Sequence, residues 1–140
     1  MLIINNQIVA DLLTMEDCIK AQEEAFKKIP TGGAIHRPRI DMYVPCKRDD
    51  GYFRWGTMEG ANDGYFAIRM KSDIMHWPED ENGNWTEEKY CREPGTYCGM
   101  ILLISTENAE PLAFINDGML QHMRVGGGAG IGVKYLARED

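Results

Sequence analysis

Tyr52-Phe53-Arg54-Trp55-Gly56-Thr57-Met58 and Tyr65-Phe66-Ala67-Ile68-Arg69-Met70-Lys71 are two apolar and aromatic runs separated by Asn62-Asp63-Gly64. An Asp-Gly pair between two such runs is a strong short-range signal for a β-hairpin, because both central residues of the favoured turn take positive φ. Upstream, Ile40 to Val44 ends in Lys47-Arg48-Asp49-Asp50-Gly51, a second turn signal, so the segment reads as two or three antiparallel strands. Downstream, Met100 to Ile104 and Leu112 to Ile115 are expected to be strands, with turns at Asn108 to Glu110 and Asn116 to Gly118. His76 to Tyr90 is acidic, polar and punctuated by Pro78 and Asn82-Gly83, and reads as a hairpin tip or an excursion. The expected fold class is α+β: a largely antiparallel or mixed sheet with flanking helices.

Two segments supply the helices. Thr14-Met15-Glu16-Asp17 is close to a capping box, and Ile19, Ala21, Gln22, Ala25, Phe26 and Ile29 continue at helical spacing until Pro30 and Gly32-Gly33 stop the run. Leu120 to Arg138 also reads as helix, with Val125, Ala129, Val133, Leu136 and Ala137 as its apolar face. Gly126, Gly127, Gly128, Gly130 and Gly132 each cost such a helix about 0.5–1 kcal/mol relative to alanine. Close approach of another helix, a strand or a ligand's phosphate would explain them. No placement of G-x-G-x-x-G fits the run, so it is not a dinucleotide fingerprint. Placed in the first turn of this helix, Arg124 would face the positive end of the dipole, which suits a cation only if an anion binds there. At the N-terminus, Leu2, Ile3, Ile4, Ile8 and Val9 read as a short strand interrupted at Asn5 to Gln7.

A chain of 140 residues, 44% hydrophobic, can bury one core and is short for two domains. Its formal charge of −7 repels phosphate backbones and anionic lipid, which argues against nucleic-acid and membrane roles and leaves a small molecule or a protein as partner. The longest apolar stretch, Met100 to Ile104, falls far short of the roughly 20 residues of a membrane helix. Met1 to Ala10 lacks the basic start of a secretory signal, so a cytoplasmic location is expected. Cys18, Cys46, Cys91 and Cys98 match neither a redox CxxC nor a zinc knuckle. His36, His76 and His122 show no ligand spacing either, so no metal is expected.

Pro111-Leu112-Ala113-Phe114-Ile115-Asn116-Asp117-Gly118, followed by Leu120, Arg124 and Lys134-Tyr135-Leu136-Ala137-Arg138, resembles the ornithine cyclodeaminase and μ-crystallin family. Leu12-Leu13-Thr14-Met15 and Pro38-Arg39 fit the family's N-terminal pattern in order, so the resemblance covers essentially the whole chain. Ala67 to Asp73, Trp77 and Pro94 to Gly99 look like a branch of that family named for a subunit of tyramine oxidase. The resemblance implies a longer two-domain protein: an N-terminal α+β domain carrying substrate groups and the dimer interface, and a Rossmann domain binding NAD or NADP. Residues 1–140 look like the first alone, with the helix 120–138 leading toward the absent nucleotide-binding domain. The chain would then be a fragment or a natural truncation, incomplete for catalysis and not expected to bind the nucleotide tightly.

Residue by residue, the resemblance casts Arg39 as the arginine that pairs with a substrate carboxylate, a task suited to a bidentate guanidinium. Arg69 stands where the family usually has a carboxylate-holding lysine, and Lys71, on the same strand face, is the other candidate for that role. Thr96 fits a cofactor- or substrate-contacting threonine, and Arg124 an arginine bridging substrate and cofactor phosphate. Val125 replaces the usual threonine at the phosphate contact and removes a hydroxyl donor. The catalytic residue is unknown, because the family's catalytic aspartate belongs to the other domain. Without the family, Arg39, Arg69 and Arg124 read as solvated charges or halves of ion pairs. Two function classes stay open. One is the substrate-binding and dimerisation part of an NAD(P)-dependent enzyme of amino acids, imino acids or amines. The other is a non-enzymatic dimeric accessory or small-molecule-binding subunit. Either would expose an apolar seam and self-associate, as a homodimer by the resemblance.

Overall fold

The computed structural model describes residues 1–93 and 99–138. Strands β1 (Leu2–Ile4), β2 (Ala34–Pro45), β3 (Gly51–Asn62), β4 (Tyr65–His76), β5 (Glu88–Tyr90), β6 (Met100–Ser105) and β7 (Pro111–Asn116) form one sheet in the order β1-β7-β6-β4-β3-β2, with β5 on the edge of β4. All pairings are antiparallel except β1 with β7, so the sheet is mixed as expected. Helices α1 (Asn6–Leu12), α2 (Met15–Lys28) and α3 (Asp117–Leu136) complete the fold. No described helix is long and apolar enough to cross a membrane.

The β3–β4 hairpin is the spine. Asp63 at φ 49° and Gly64 at φ 82° form its two-residue turn, and the ladder runs unbroken from Asn62–Tyr65 out to Gly51–His76. Period-two alternation puts Arg54, Gly56, Met58 and Gly60 of β3 on one face with Ala67, Arg69, Lys71 and Asp73 of β4. The helices cover this face: Arg69 reaches α3, while Phe26 of α2 and Ile29 just past its end meet Met58 and Tyr65 across a cavity. The opposite face carries Phe66, Ile68, Leu102 and Phe114.

Two expectations are corrected. Ile8 and Val9 are helical, because Asn5 caps α1 by accepting from the Ile8 N–H instead of interrupting a strand. The C-terminal helix starts at Asp117, not Leu120: Asn116-Asp117-Gly118 is its entry and not a free turn. Orphan donors of that first turn are satisfied from elsewhere in the fold. The Asp117 N–H donates to the Gly99 carbonyl at 2.9 Å, and the Met119 N–H to Asn6 Oδ1 at 2.9 Å. Arg124 therefore sits about two turns into the helix, too far from its start for the dipole to favour an anion there.

The capping box of α2 is present, with Thr14 accepting from the Asp17 N–H and Asp17 from the Thr14 N–H. Helix α2 also answers the glycine question. A Cβ on Gly126 would lie 3.2 Å from Met15 Cε, on Gly127 2.4 Å from Gln22 Nε2, and on Gly130 3.2 Å from Ile19 Cδ1. The run is a helix-crossing surface. At its far end Lys134 and Tyr135 of α3 donate to Glu23 of α2, the former at 2.8 Å, joined by Lys27 at 2.8 Å. These donors hold the Glu23 carboxyl down at about 2, Lys134 foremost.

Gly132 faces open space, so Gly132→Ala is expected to stabilise the protein by about 0.5–1 kcal/mol, whereas Gly127→Leu should destabilise it by about 1–3 kcal/mol; urea unfolding of the two variants reads both signs. Because the folded carboxyl of Glu23 lies below its ordinary 4.5, its contribution is complete above that value and fades as pH falls toward about 2. Thermal melts of the protein and Glu23→Gln should therefore differ at neutral pH and converge over that acidic window; a constant gap would refute the assignment.

Candidate functional site

A β-bulge arranges the cationic side chains. Arg37 pairs with Glu59 and Ile40 with Thr57, so Pro38 and Arg39 together oppose Met58. The extra residue reverses the facing of the strand. Before it His36 looks toward the helices; after it Asp41 and Tyr43 do. Arg39 thereby joins Arg69 and Lys71 on the helix-covered face, its Cδ lying 3.4 Å from where a Gly56 side chain would begin. Arg39 and Arg69 line one cleft of about 340 Å³ with Met58, Gly60 and Ala67 as its floor. Arg124 projects from α3 into the neighbouring cavity, which shares His36, Met58 and Gly60 with that cleft.

Carboxylates fix three of these four cations. Arg39 Nη2 lies 2.9 Å from Asp41 Oδ2, and Lys71 Nζ 3.3 Å from Asp73 Oδ2. Arg69 donates through Nε to Asp117 and through Nη2 to Gln121. Among the described residues no carboxylate lies within ion-pair distance of Arg124. Asp73 itself is held by a buried partner: Arg54 donates to both of its oxygens, at 2.8 and 2.6 Å, and both side chains are about 95% shielded from solvent, at 3% and 5% exposure. Removing one member of such a pair costs about 3–5 kcal/mol, because the other charge is left buried alone. Asp117 is almost wholly buried, and burial pushes its carboxyl above the ordinary value while Arg69, Arg124 and Lys71 pull it back. On this face Arg39, Arg54, Arg69, Lys71 and Arg124 confront Asp41, Asp73 and Asp117. Glu87, close to Arg54 and Arg39, is already committed to Lys89 at 2.7 Å. This face of the sheet keeps a cationic surplus in a chain whose net charge is −7.

Of the residues singled out from sequence, Arg39, Arg69, Lys71 and Arg124 share one side of the sheet, whereas Val125 is 56% exposed and lines neither cavity. Thr96 lies outside the described residues. The glycine run does not fit a phosphate cradle, since Met15, Gln22 and Ile19 already occupy the space its missing side chains leave. Sequence reasoning missed Arg54, Asp73 and Gln121 and gave Asp117 to a turn. The Arg54–Asp73 pair had a signal: counting outward from the Asp63-Gly64 turn along an unbroken hairpin sets Arg54 opposite Asp73. Asp117 and Gln121 meet Arg69 only through tertiary packing. Among the described residues no group of histidine, cysteine and carboxylate side chains could hold a metal.

Known proteins share this arrangement of elements. Alanine dehydrogenase of Archaeoglobus fulgidus is 27% identical over 141 residues, an alignment covering 99% of this chain and 38% of the dehydrogenase. An archaeal alanine dehydrogenase dimer with bound NAD superposes at a TM-score of 0.70 and 27% identity, covering 100% of this chain and 38% of its own. The Thermococcus litoralis Δ1-pyrroline-2-carboxylate reductase, in complex with NADH and L-proline, has the same fold at a TM-score of 0.69 and 23% identity, covering 100% of this chain and 39% of its own. The chain thus spans about two-fifths of the length of these relatives. A model of the ornithine cyclodeaminase/mu-crystallin family matches residues 2–140, from the first strand through the end of α3, and on that match this chain belongs to the ornithine cyclodeaminase/mu-crystallin family.

Proposed function

We propose that residues 1–140 form the carboxylate-binding and dimer-forming domain of an NAD(P)-dependent enzyme acting on amino or imino acids. The observation that carries this reading is the surplus of cations on the helix-covered face, with Arg39 and Arg69 lining a cleft of apolar floor and Arg124 the cavity beside it. The ligands named for the relatives, alanine, L-proline and pyrroline-2-carboxylate, are all α-carboxylates.

Arg69 spends Nε and Nη2 on Asp117 and Gln121, which fixes the plane of its guanidinium and leaves Nη1 free for an incoming oxygen. Lys71, restrained by Asp73, adds a point charge on the same strand face. Arg39 approaches from β2, and Arg124, with no carboxylate of its own, closes the opposite wall. These residues bind and orient; none is positioned here as a general acid or base. When bound, NAD or NADP accepts or delivers the hydride. The described residues offer it no cradle, so tight nucleotide binding to this domain alone is not expected, and Arg124 is the residue proposed to meet the nucleotide's phosphate side.

The dimer reading rests on the opposite face of the sheet. Phe66, Ile68, Leu102 and Phe114 form a continuous apolar band there, and Ile35, Ile40 and Met42 on β2 are more than half exposed. A band of this kind on a protein surface marks an interaction site, and a second copy of the chain is the occupant proposed, as one relative is itself a dimer.

Calorimetric titration with pyruvate and L-alanine tests the carboxylate site. Binding should weaken by about tenfold to a hundredfold in Arg69→Ala, the loss of charge-assisted hydrogen bonds, and stay unchanged in Arg48→Ala on the distant 46–50 turn. Failure of both ligands to bind at millimolar concentration, or equal effects of the two variants, would overturn the reading. Light scattering should give a dimer that Leu102→Glu converts to a monomer of unchanged circular dichroism; a monomeric parent protein at micromolar concentration would refute the interface.

A further inference from the structure

The cavity beside Arg124 extends beyond the cationic cleft. It runs between α2 and strands β2 to β4, has a volume of about 580 Å³, and falls within the roughly 300–1,000 Å³ of small-molecule sites. A carboxylate with a methyl group would leave it almost empty. Its walls are apolar: Ala25 and Phe26 from α2 and Ile29 just past its end face Ala34 and Met58 from the sheet. Phe26 is 51% exposed and Ile29 40% exposed, although both stand over the sheet, so they border a gap instead of closing it. Gly60 keeps the passage between cleft and cavity open. Among the described residues, chain neighbours aside, the one heavy atom within 4 Å of the Cβ it lacks is the Ile35 carbonyl oxygen, at 3.4 Å, so the floor has room for a side chain and carries none.

At the end of the cavity away from the cleft stand Asn62 and Tyr65, the two residues that flank the hairpin turn. Asn62 Oδ1 is buried with no hydrogen-bond partner. A buried amide oxygen left unpaired costs about 1–3 kcal/mol, and a turn of the Asn62 amide that opens this shielded atom to the cavity would let a ligand donor recover it. The cavity therefore has a cation without a carboxylate partner at one end, an apolar waist with an adaptable methionine, and an unmet acceptor at the other.

We propose that this cavity receives the side chain of the substrate, and that the site selects α-keto or α-amino acids whose side chain is aromatic in size and ends in a hydrogen-bond donor. The carboxylate meets Arg39, Arg69, Lys71 and Arg124, the ring lies on Met58 and Gly60 beneath Phe26, and a distal hydroxyl donates to Asn62 Oδ1 once that amide turns toward the cavity. This inference rests on the carboxylate-site reading above.

The test is calorimetric titration of the 140-residue protein with pyruvate, phenylpyruvate and 4-hydroxyphenylpyruvate. Phenylpyruvate is expected to bind at least about tenfold more tightly than pyruvate, the yield of burying one aromatic ring, and 4-hydroxyphenylpyruvate more tightly again. Asn62→Ala should abolish the advantage of the hydroxyl and keep that of the ring. Ala25→Trp, which fills the cavity from α2, should collapse the ratio of phenylpyruvate to pyruvate affinity toward one. Pyruvate binding that depends on Arg69, with no preference for the aromatic acids, would overturn this proposal and leave the carboxylate site standing. Aromatic acids that bind independently of Arg69 and Arg124, or an absence of binding by all three, would overturn both.

Discussion

The register of the β3–β4 hairpin is the constraint on which everything else hangs. Asp63 and Gly64 take the two positive φ values that a two-residue turn demands, and the ladder they start continues for the full length of both strands. Because alternate side chains point to opposite faces, a slip of one residue would exchange the whole set. Arg69, Lys71 and Asp73 would move to the open side, and Ile68, Met70 and Ile74 would press against α3. The core, the cleft and the exposed apolar band are thus one decision, made at a single turn.

Given that register, the two faces of the sheet do different work. The open face is apolar over β4, β6 and β7 and carries its main charge, the Arg37–Glu59 ion pair, toward the β2 edge. The covered face holds five cations, and Asp41, Asp73 and Asp117 keep them from being a purely repulsive cluster. Asp41 and Asp117 each bind one guanidinium, Asp73 binds both Arg54 and Lys71, and other donors are left free. Arg54 does not reach the cleft at all. Its two hydrogen bonds to Asp73 immobilise the carboxylate that in turn restrains Lys71, so a buried ion pair acts as the support of a partly buried one.

Local chemistry was legible in the sequence and tertiary chemistry was not. The hairpin, the capping box of α2, the excursion after His76 and the strands on either side of Asn108 carry their signals within a few residues of themselves. Asn5 and Asn116 misled for a shared reason: asparagine serves turns and helix entries alike, and which one is realised depends on partners far away. Asn6 accepting from Met119 across the fold, and Gly99 accepting from Asp117, decide where α3 begins. The glycines of α3 announced close approach without naming the neighbour, and α2 fills the space that the sequence left open to a strand or a phosphate. For the candidate site, sequence supplied the cations through a family resemblance, whereas their anchors Asp73, Asp117 and Gln121 needed the fold.

The bulge at Pro38 and Arg39 decides which side every later residue of β2 faces. A regular ladder over the same residues would pair Ile40 with Gly56 and turn the remainder of β2 over, presenting Ile40, Met42 and Val44 to the helices and Asp41 and Tyr43 to the open side. Losing one residue between Arg37 and Ile40 would instead leave Arg37 on Glu59 and Ile40 on Thr57, so the strand would keep its facing and lose only its local bend. In the divergence of this chain from its relatives, the rest of β2 therefore tolerates a gap at the bulge, whereas a gap between Ile40 and Val44 would turn over the residues beyond it.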